Sequence, residues 1–178
     1  MITVAVSLIL LLFLACFGFY WDSREKDWTT STGSTFVMDT FVDQKFSGKQ
    51  SGLAVEKINE LLKNFENRFS AYVSSSEISR INQNAGLSYI QVSEETFDFL
   101  KTAKEYCKRS QGLFDITIGP LVDLWDITGE NPRVPDEREI QSVLKRVNYE
   151  DLLLREEDHS VMLRQEGQKL NLGGMAKG

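Results

Sequence analysis

Histidine is nearly missing from this 178-residue chain: His159 is the single one, and only two cysteines, Cys16 and Cys107, occur with it. Nucleophilic triads of the Ser-His-Asp or Cys-His kind need an imidazole beside the nucleophile. His159 stands between Asp158 and Ser160 at an expected turn, reads as a solvated residue, and is assigned no catalytic role. Cysteine and histidine are also too few for a zinc site. Cys16 lies in an apolar segment and Cys107 in an expected helix, so no disulfide joins them, and Cys107 reads as a small buried hydrophobe. Positive charge is scarce too: 20 Lys and Arg against 26 Asp and Glu give a net charge of −6, with no long basic run. A nucleic acid demands a basic face for its phosphates, so that class of partner is excluded. Neither the Walker pattern nor the Rossmann fingerprint is present, and no internal repeat is apparent.

What the chain does have begins at its N-terminus. Residues 2–21 carry no charged side chain, enough apolar length to just span a bilayer as a helix. Phe13-Leu14-Ala15-Cys16 is an imperfect match to a lipoprotein signal, and the segment lacks the lysine or arginine that precedes a secretory core. Residues 1–21 are therefore read as a membrane anchor or a lipoprotein-type signal, with the folded part extracytoplasmic at the cell membrane. Residues 22–34, rich in Ser, Thr and Gly, are expected to form a polar linker.

From Thr35 to Phe46, β-branched and aromatic residues predict a first strand ending near Gly48. Leu53, Ile58, Leu61, Leu62, Phe65 and Phe69 predict one helical face. Ser76 is expected to cap a short helix carrying Ile78 and Ile81. Ser93, followed by Glu94 and Glu95, caps a longer helix with Phe97, Leu100, Ala103 and Cys107 inward and Gly112 as its stop. Asp136 with Glu139 has the capping-box pattern for a helix carrying Ile140, Val143, Leu144 and Val147 inward. Leu152–Leu154, Ser160–Arg164 and Lys169–Leu172 read as short strands. The fold class is α+β, mixed helices with a largely antiparallel sheet, and the sheet is expected to be incomplete at the C-terminus.

Three blocks carry chemistry. Asn171-Leu172-Gly173-Gly174-Met175-Ala176-Lys177-Gly178 has the composition of a turn whose backbone takes φ > 0 and aims N–H groups and a lysine at a phosphate. Gly112 to Trp125 contains Leu113-Phe114-Asp115, in which the aspartate either accepts bonds from a ligand or caps local N–H groups. Phe69-Ser70-Ala71-Tyr72 leads into Ser76-Glu77-Ile78-Ser79-Arg80-Ile81-Asn82. Tyr72 is either a ring-stacking residue or a half-buried surface tyrosine. Met38, in Met38-Asp39-Thr40, suits an aromatic ring face or a buried strand position.

In this order the blocks resemble the ApbE-type flavin transferases, FAD:protein FMN transferases, over about residues 35–178, a span expected to be the N-terminal half of that domain. The resemblance implies an enzyme that takes FAD as substrate with magnesium, attaches FMN to a threonine or serine of an acceptor protein, and releases AMP. It implies FAD contacts by Met38, Tyr72, Leu113, Phe114, Asp115, Asn171 and Lys177, with the Gly174 carbonyl as a magnesium ligand. The family more commonly has aspartate where Asn171 stands. Glu77, Arg80 and Asn82 match the pattern too, and a helix-supporting polar network explains them equally well. No catalytic residue is identified. Further metal ligands are expected beyond Gly178, which leaves two alternatives open: an FAD hydrolase giving FMN and AMP, or a non-catalytic flavin-binding fragment.

Overall fold

Thr29–Val37 (β1) and Thr40–Gly48 (β2) pair antiparallel in a hairpin, in register from Thr29 opposite Gly48 to Val37 opposite Thr40. The computed structural model describes residues 12–18, 20, 28–38, 40–127 and 129–176. The hairpin replaces two expectations. The strand expected over Thr35–Phe46 is two strands, reversed beside Met38, which takes φ 51°. The Ser/Thr run from Thr29 to Ser34, read as linker, is strand. Its short hydroxyl side chains pair across the ladder, as in the 2.9 Å Thr30–Ser47 bond. Residues 12–18 and 20 are helical and exposed (α1). Most of the anchor expected over 1–21 lies outside the described residues, and among those described no helix is long and apolar enough to cross a membrane.

The described residues form two compact units, 1–62 and 63–178. Within the first, the inner face of the hairpin packs on the start of helix α2 (Ser51–Phe69). The approach is close. A Cβ on Gly33 would fall 2.5 Å from Val55 Cγ1, so a larger residue there would force Val55 to shift. Ser51 Oγ bonds Thr29 Oγ1 at 2.9 Å and Ser31 Oγ at 2.8 Å, and Gln44 Nε2 donates to Asn59 Oδ1 at 2.6 Å. Leu53 and Leu61, expected on the inner helical face, are exposed instead. The inner row follows the 3.6 spacing through Ser51, Val55, Ile58 and Leu62, which turns both leucines outward.

In the second unit, Ser76 Oγ accepts the Ser79 N–H and starts α3 (Glu77–Gln83), burying Ile78 and Ile81 as expected. Ser93 Oγ accepts from Thr96 N and starts α4 (Glu94–Arg109). Acidic residues in the first turn and Lys108 with Arg109 in the last complement the helix dipole. Phe97, Leu100, Ala103 and Cys107 are all buried, and burial pushes the Cys107 thiol up. The helix stops where Gln111 and Gly112 take φ 57° and 81°.

Pro120 opens α5 (Gly119–Trp125), a helix without a periodic apolar signal in its residues. The reciprocal Asp136–Glu139 capping box starts α6 (Glu137–Leu144). No residue of that helix is fully buried, so its expected inward stripe is only half-covered and Leu144 is exposed. Ile90–Gln91 (β3), Leu152–Arg155 (β4) and Ser160–Leu163 (β5) form an antiparallel sheet in the order β3-β5-β4. A 3-10 turn at Tyr149–Asp151 precedes β4. Between β4 and β5 the reversal holds His159 at φ 50°, its ring centroid 5.2 Å from that of Phe97 rather than free in solvent.

The third expected strand, Lys169–Leu172, is not a strand. It is an extended segment with one parallel bridge, Lys169 to Ile118, followed by a helical turn at Gly173–Ala176 (α7). Leu170 and Leu172 nonetheless close the core with Ile116, Leu152, Val161 and Leu163. The α+β class and the largely antiparallel pairing stand as expected.

Candidate functional site

Within residues 63–178, Tyr72, Asn82, Asp123, Lys169 and Asn171 line a cavity of about 240 Å³, together with Ala71, Ser79, Gln83, Gly119 and Leu170. One wall is the loop Ser70-Ala71-Tyr72. Ser70 Oγ accepts the N–H groups of Tyr72 and Val73 at 3.1 and 3.2 Å. The Ser70 carbonyl receives Ser76 Oγ at 2.5 Å and Ser79 Oγ at 3.3 Å. The loop is thus tied to the start of α3, which leaves Tyr72 59% exposed at the rim.

The facing wall is Lys169-Leu170-Asn171. Gly119 N donates to Lys169 O at 3.1 Å and Asn171 N donates to Ile116 O at 2.8 Å. The two chains approach so closely that a Cβ on Gly119 would lie 2.6 Å from the Lys169 carbonyl oxygen. The Lys169 ammonium pairs with the Asp123 carboxylate at the cavity edge. Asn171 Oδ1 accepts the Gly173 N–H at 2.9 Å and so shapes the turn into α7.

Gly173 and Gly174 depart from expectation. Neither has a positive φ; both belong to a helical turn. The glycines here allow close approach of neighbouring side chains rather than a left-handed backbone. A Cβ on Gly174 would sit 3.3 Å from Phe114 Cε2, and one on Gly173 would sit 3.1 Å from Asn171 Oδ1. The glycine-rich turn and the Leu113-Phe114-Asp115 block are therefore neighbours.

Phe114 packs half-buried against the core, its N–H held by Ser110 Oγ at 3.0 Å, and Leu113 is 94% exposed. For Asp115 the structure supports the capping reading. Its Oδ1 accepts Thr117 N and Thr117 Oγ1 at 2.7 and 2.6 Å, and its Oδ2 accepts Tyr149 N at 2.9 Å. The carboxylate knits the block to the 3-10 turn. Thr117 Oγ1 in turn accepts Asn148 N at 2.8 Å.

The structure thus unites Tyr72 with Asn171 in one cavity, and Phe114 with Gly174 in one contact. Met38 belongs to the 1–62 unit, at a hairpin turn rather than inside a strand. Lys177 lies outside the described residues. Asp123, inside the Gly112–Trp125 block, and Lys169, just before the glycine-rich turn, were not singled out, and their pairing across 46 positions left no trace in local sequence. Glu77 is structural: its two oxygens take Ser93 N and Ser93 Oγ, both at 2.9 Å, joining α3 to the cap of α4. Among the described residues no group of three or more His, Cys, Asp or Glu is placed to hold a metal ion.

The sequence profile of the ApbE family matches residues 38–178. An FAD:protein FMN transferase of Klebsiella pneumoniae is 33% identical over 145 residues, covering 82% of this chain and 46% of the relative. One from Treponema pallidum is 31% identical over 130 residues, covering 70% and 36%. Among solved structures, the ApbE protein of Thermotoga maritima superposes with a TM-score of 0.77 at 32% identity, over 84% of this chain and 49% of that one. The flavin transferase ApbE of Vibrio cholerae gives a TM-score of 0.74 at 25% identity, over 84% and 50%. The chain spans half or less of the length of each of these relatives.

Proposed function

The chain belongs to the ApbE family, and from that premise we propose that it supplies part of the flavin-nucleotide cleft of an FAD:protein FMN transferase. In the proposed reaction a threonine or serine hydroxyl of an acceptor protein attacks the FMN-side phosphorus of FAD. A new P–O bond forms, the bond to the bridging oxygen breaks, and AMP leaves with that oxygen while the hydroxyl proton is released. Reactions of this type are catalysed mainly by positioning and charge stabilisation.

The observation that carries the reading is convergence. Three blocks separated in sequence meet within residues 63–178, where Tyr72 and Asn171 share a cavity and Phe114 lies against Gly174. In this role Tyr72 offers a ring face and a hydroxyl, Phe114 and Leu113 an apolar surface, and Asn171 a carbonyl already aimed at the turn. Asp115, also a proposed FAD contact, ties the chain just after Phe114 to Thr117 and Tyr149. Met38 and Lys177 are proposed as FAD contacts on the family resemblance alone.

Magnesium belongs to the proposal as the counter-ion of the diphosphate, with the Gly174 carbonyl as one oxygen ligand. Hard cations take several oxygens, and the described residues offer no cluster of acidic side chains for one. They fit a single ligand and not a complete site. The apolar residues 1–21 are proposed to tether the domain at the outer face of the cell membrane.

The test is incubation of the chain with FAD, magnesium and a candidate acceptor protein, following AMP and protein-bound flavin fluorescence. AMP together with flavin covalently on the acceptor supports the transferase. AMP with free FMN assigns an FAD hydrolase, and intact bound FAD a flavin-binding protein. No FAD binding at all would sink the reading.

A further inference from the structure

Among the described residues, Lys169, Leu170 and Asn171 lie extended with one backbone neighbour. The bonds of Lys169 O and Asn171 N go to residues 116–119, as on one edge of a parallel pair. In an extended chain the peptide groups of the intervening residue face the opposite way. Those of Leu170 meet a single side chain, Asn82 of α3. Asn82 Nδ2 donates to Leu170 O at 3.0 Å, and Leu170 N donates to Asn82 Oδ1 at 2.7 Å. A carboxamide presents a carbonyl acceptor and an N–H donor side by side on one edge, matching the N–H and C=O that one extended residue offers to a neighbour, so Asn82 takes the place of a paired strand at Leu170. The two partners are 88 positions apart.

The same helix holds the other wall, because Ser76 at its cap and Ser79 in its first turn bind the Ser70 carbonyl of the Tyr72 loop. Helix α3 therefore sets the spacing between the two walls of the cavity. Beyond Leu170 the chain runs directly into Asn171 and the Gly173–Gly174 turn, with Gly174 in contact with Phe114.

We infer that Asn82 is a positioning residue: through the Leu170 peptide it fixes the 169–174 segment opposite Tyr72, and FAD affinity depends on that fix, a statement that rests on the flavin reading above. It acts through backbone hydrogen bonds and contributes no reacting group. Loosening this wall by about 1 Å is the kind of displacement that lowers productive binding by on the order of tenfold or more.

The test compares the full chain with Asn82→Ala and with Asn82→Asp, which keeps the acceptor for Leu170 N and loses the donor to Leu170 O. Two quantities are read. The first is amide hydrogen exchange without ligand, which reports local opening. The second is FAD affinity, from quenching of flavin fluorescence. The expected result is faster exchange confined to residues 169–174, with α4 and β5 as protected as in the parent. FAD affinity falls roughly tenfold or more in Asn82→Ala and less in Asn82→Asp. Should Asn82→Ala fail to fold, Asn82→Asp alone carries the comparison. Unchanged exchange over 169–174, or faster exchange with parental FAD affinity, overturns the inference, because a merely structural tie would not move the affinity of folded protein. A parent chain that binds no FAD refutes the flavin reading instead, and the exchange pattern then decides alone whether Asn82 holds the turn.

Discussion

Between Thr29 and Leu62 the packed face mixes small and polar side chains with half-buried Val55, Ile58 and Leu62, whereas between Lys63 and Ala176 it is a closed apolar core. In the first region Val37 is the only fully buried apolar residue among those described, and contact is made by closeness: Gly33 against Val55, Ser51 between two strand hydroxyls, Gln44 against Asn59. Gln44 Oε1 is buried there without a hydrogen-bond partner in the structure, and Phe36 and Phe41 stack edge-on at 5.1 Å on the open face. In the second region Ile78, Ile81, Leu100, Leu152, Leu163 and Leu170 are at most 1% exposed, and buried Gln168 and Asp151 satisfy each other at 3.1 Å. Burial of that kind accounts for most stability. Each loop around the cavity is also fixed to this core by named hydrogen bonds. A site that must hold geometry gains from standing on such a base.

Leu100→Ala, in the closed core, is expected to cost about 2–5 kcal/mol, read from urea unfolding of the 63–178 region by hydrogen exchange. Next comes Asp115→Ala, which strips the partner from two backbone N–H groups and the Thr117 hydroxyl. Hydrogen bonds to a charged acceptor are worth more than neutral ones, and a loss of roughly 2–3 kcal/mol is expected. A loss indistinguishable from zero would mean that Asp115 does not tie the block together. Phe41→Thr on the open hairpin face should cost within about 1 kcal/mol, the scale of one cross-strand pair. A cost comparable with that of Leu100→Ala would mean the aromatic pair is covered in the protein as it exists, and the comparison would fail.

The two regions also differ in how far sequence announced them. The capped helices of the second region carry signals that act over three or four residues: Ser76 to Ser79, Ser93 to Thr96, Asp136 to Glu139. Local chemistry decides them, so local reading finds them. The hairpin misled because Ser and Thr serve linkers and ladders alike, and only pairing with residues 40–48 separates the two. Lys169–Leu172 misled in the opposite sense. It has strand composition, yet one of its edges is completed by Asn82 rather than by a second strand. Around the cavity, the blocks containing Tyr72, Phe114 and Asn171 were legible as motifs. The pairing of Asp123 with Lys169 was not, because an ion pair between distant elements has no signature in either element alone.

The smallest expected effect lies at the β4–β5 reversal, where only a surface cluster is at stake. The Arg155 guanidinium first, and then the Ser160 hydroxyl, hold the Asp158 carboxyl down from 3.8 to about 2. Arg155 Nε reaches Asp158 Oδ1 at 2.9 Å and Ser160 Oγ reaches it at 2.7 Å. Because the folded value lies below the unfolded one, acid protonates the unfolded chain first. The stabilisation is complete above about pH 4 and is lost as pH falls through about 2. Surface pairs are screened by water and salt, which keeps this contribution modest. Melting curves of the parent and Asp158→Asn are therefore expected to differ slightly near neutrality and to converge by about pH 2. An offset that stays constant across that range would mean that the carboxylate's charge plays no part in holding the turn.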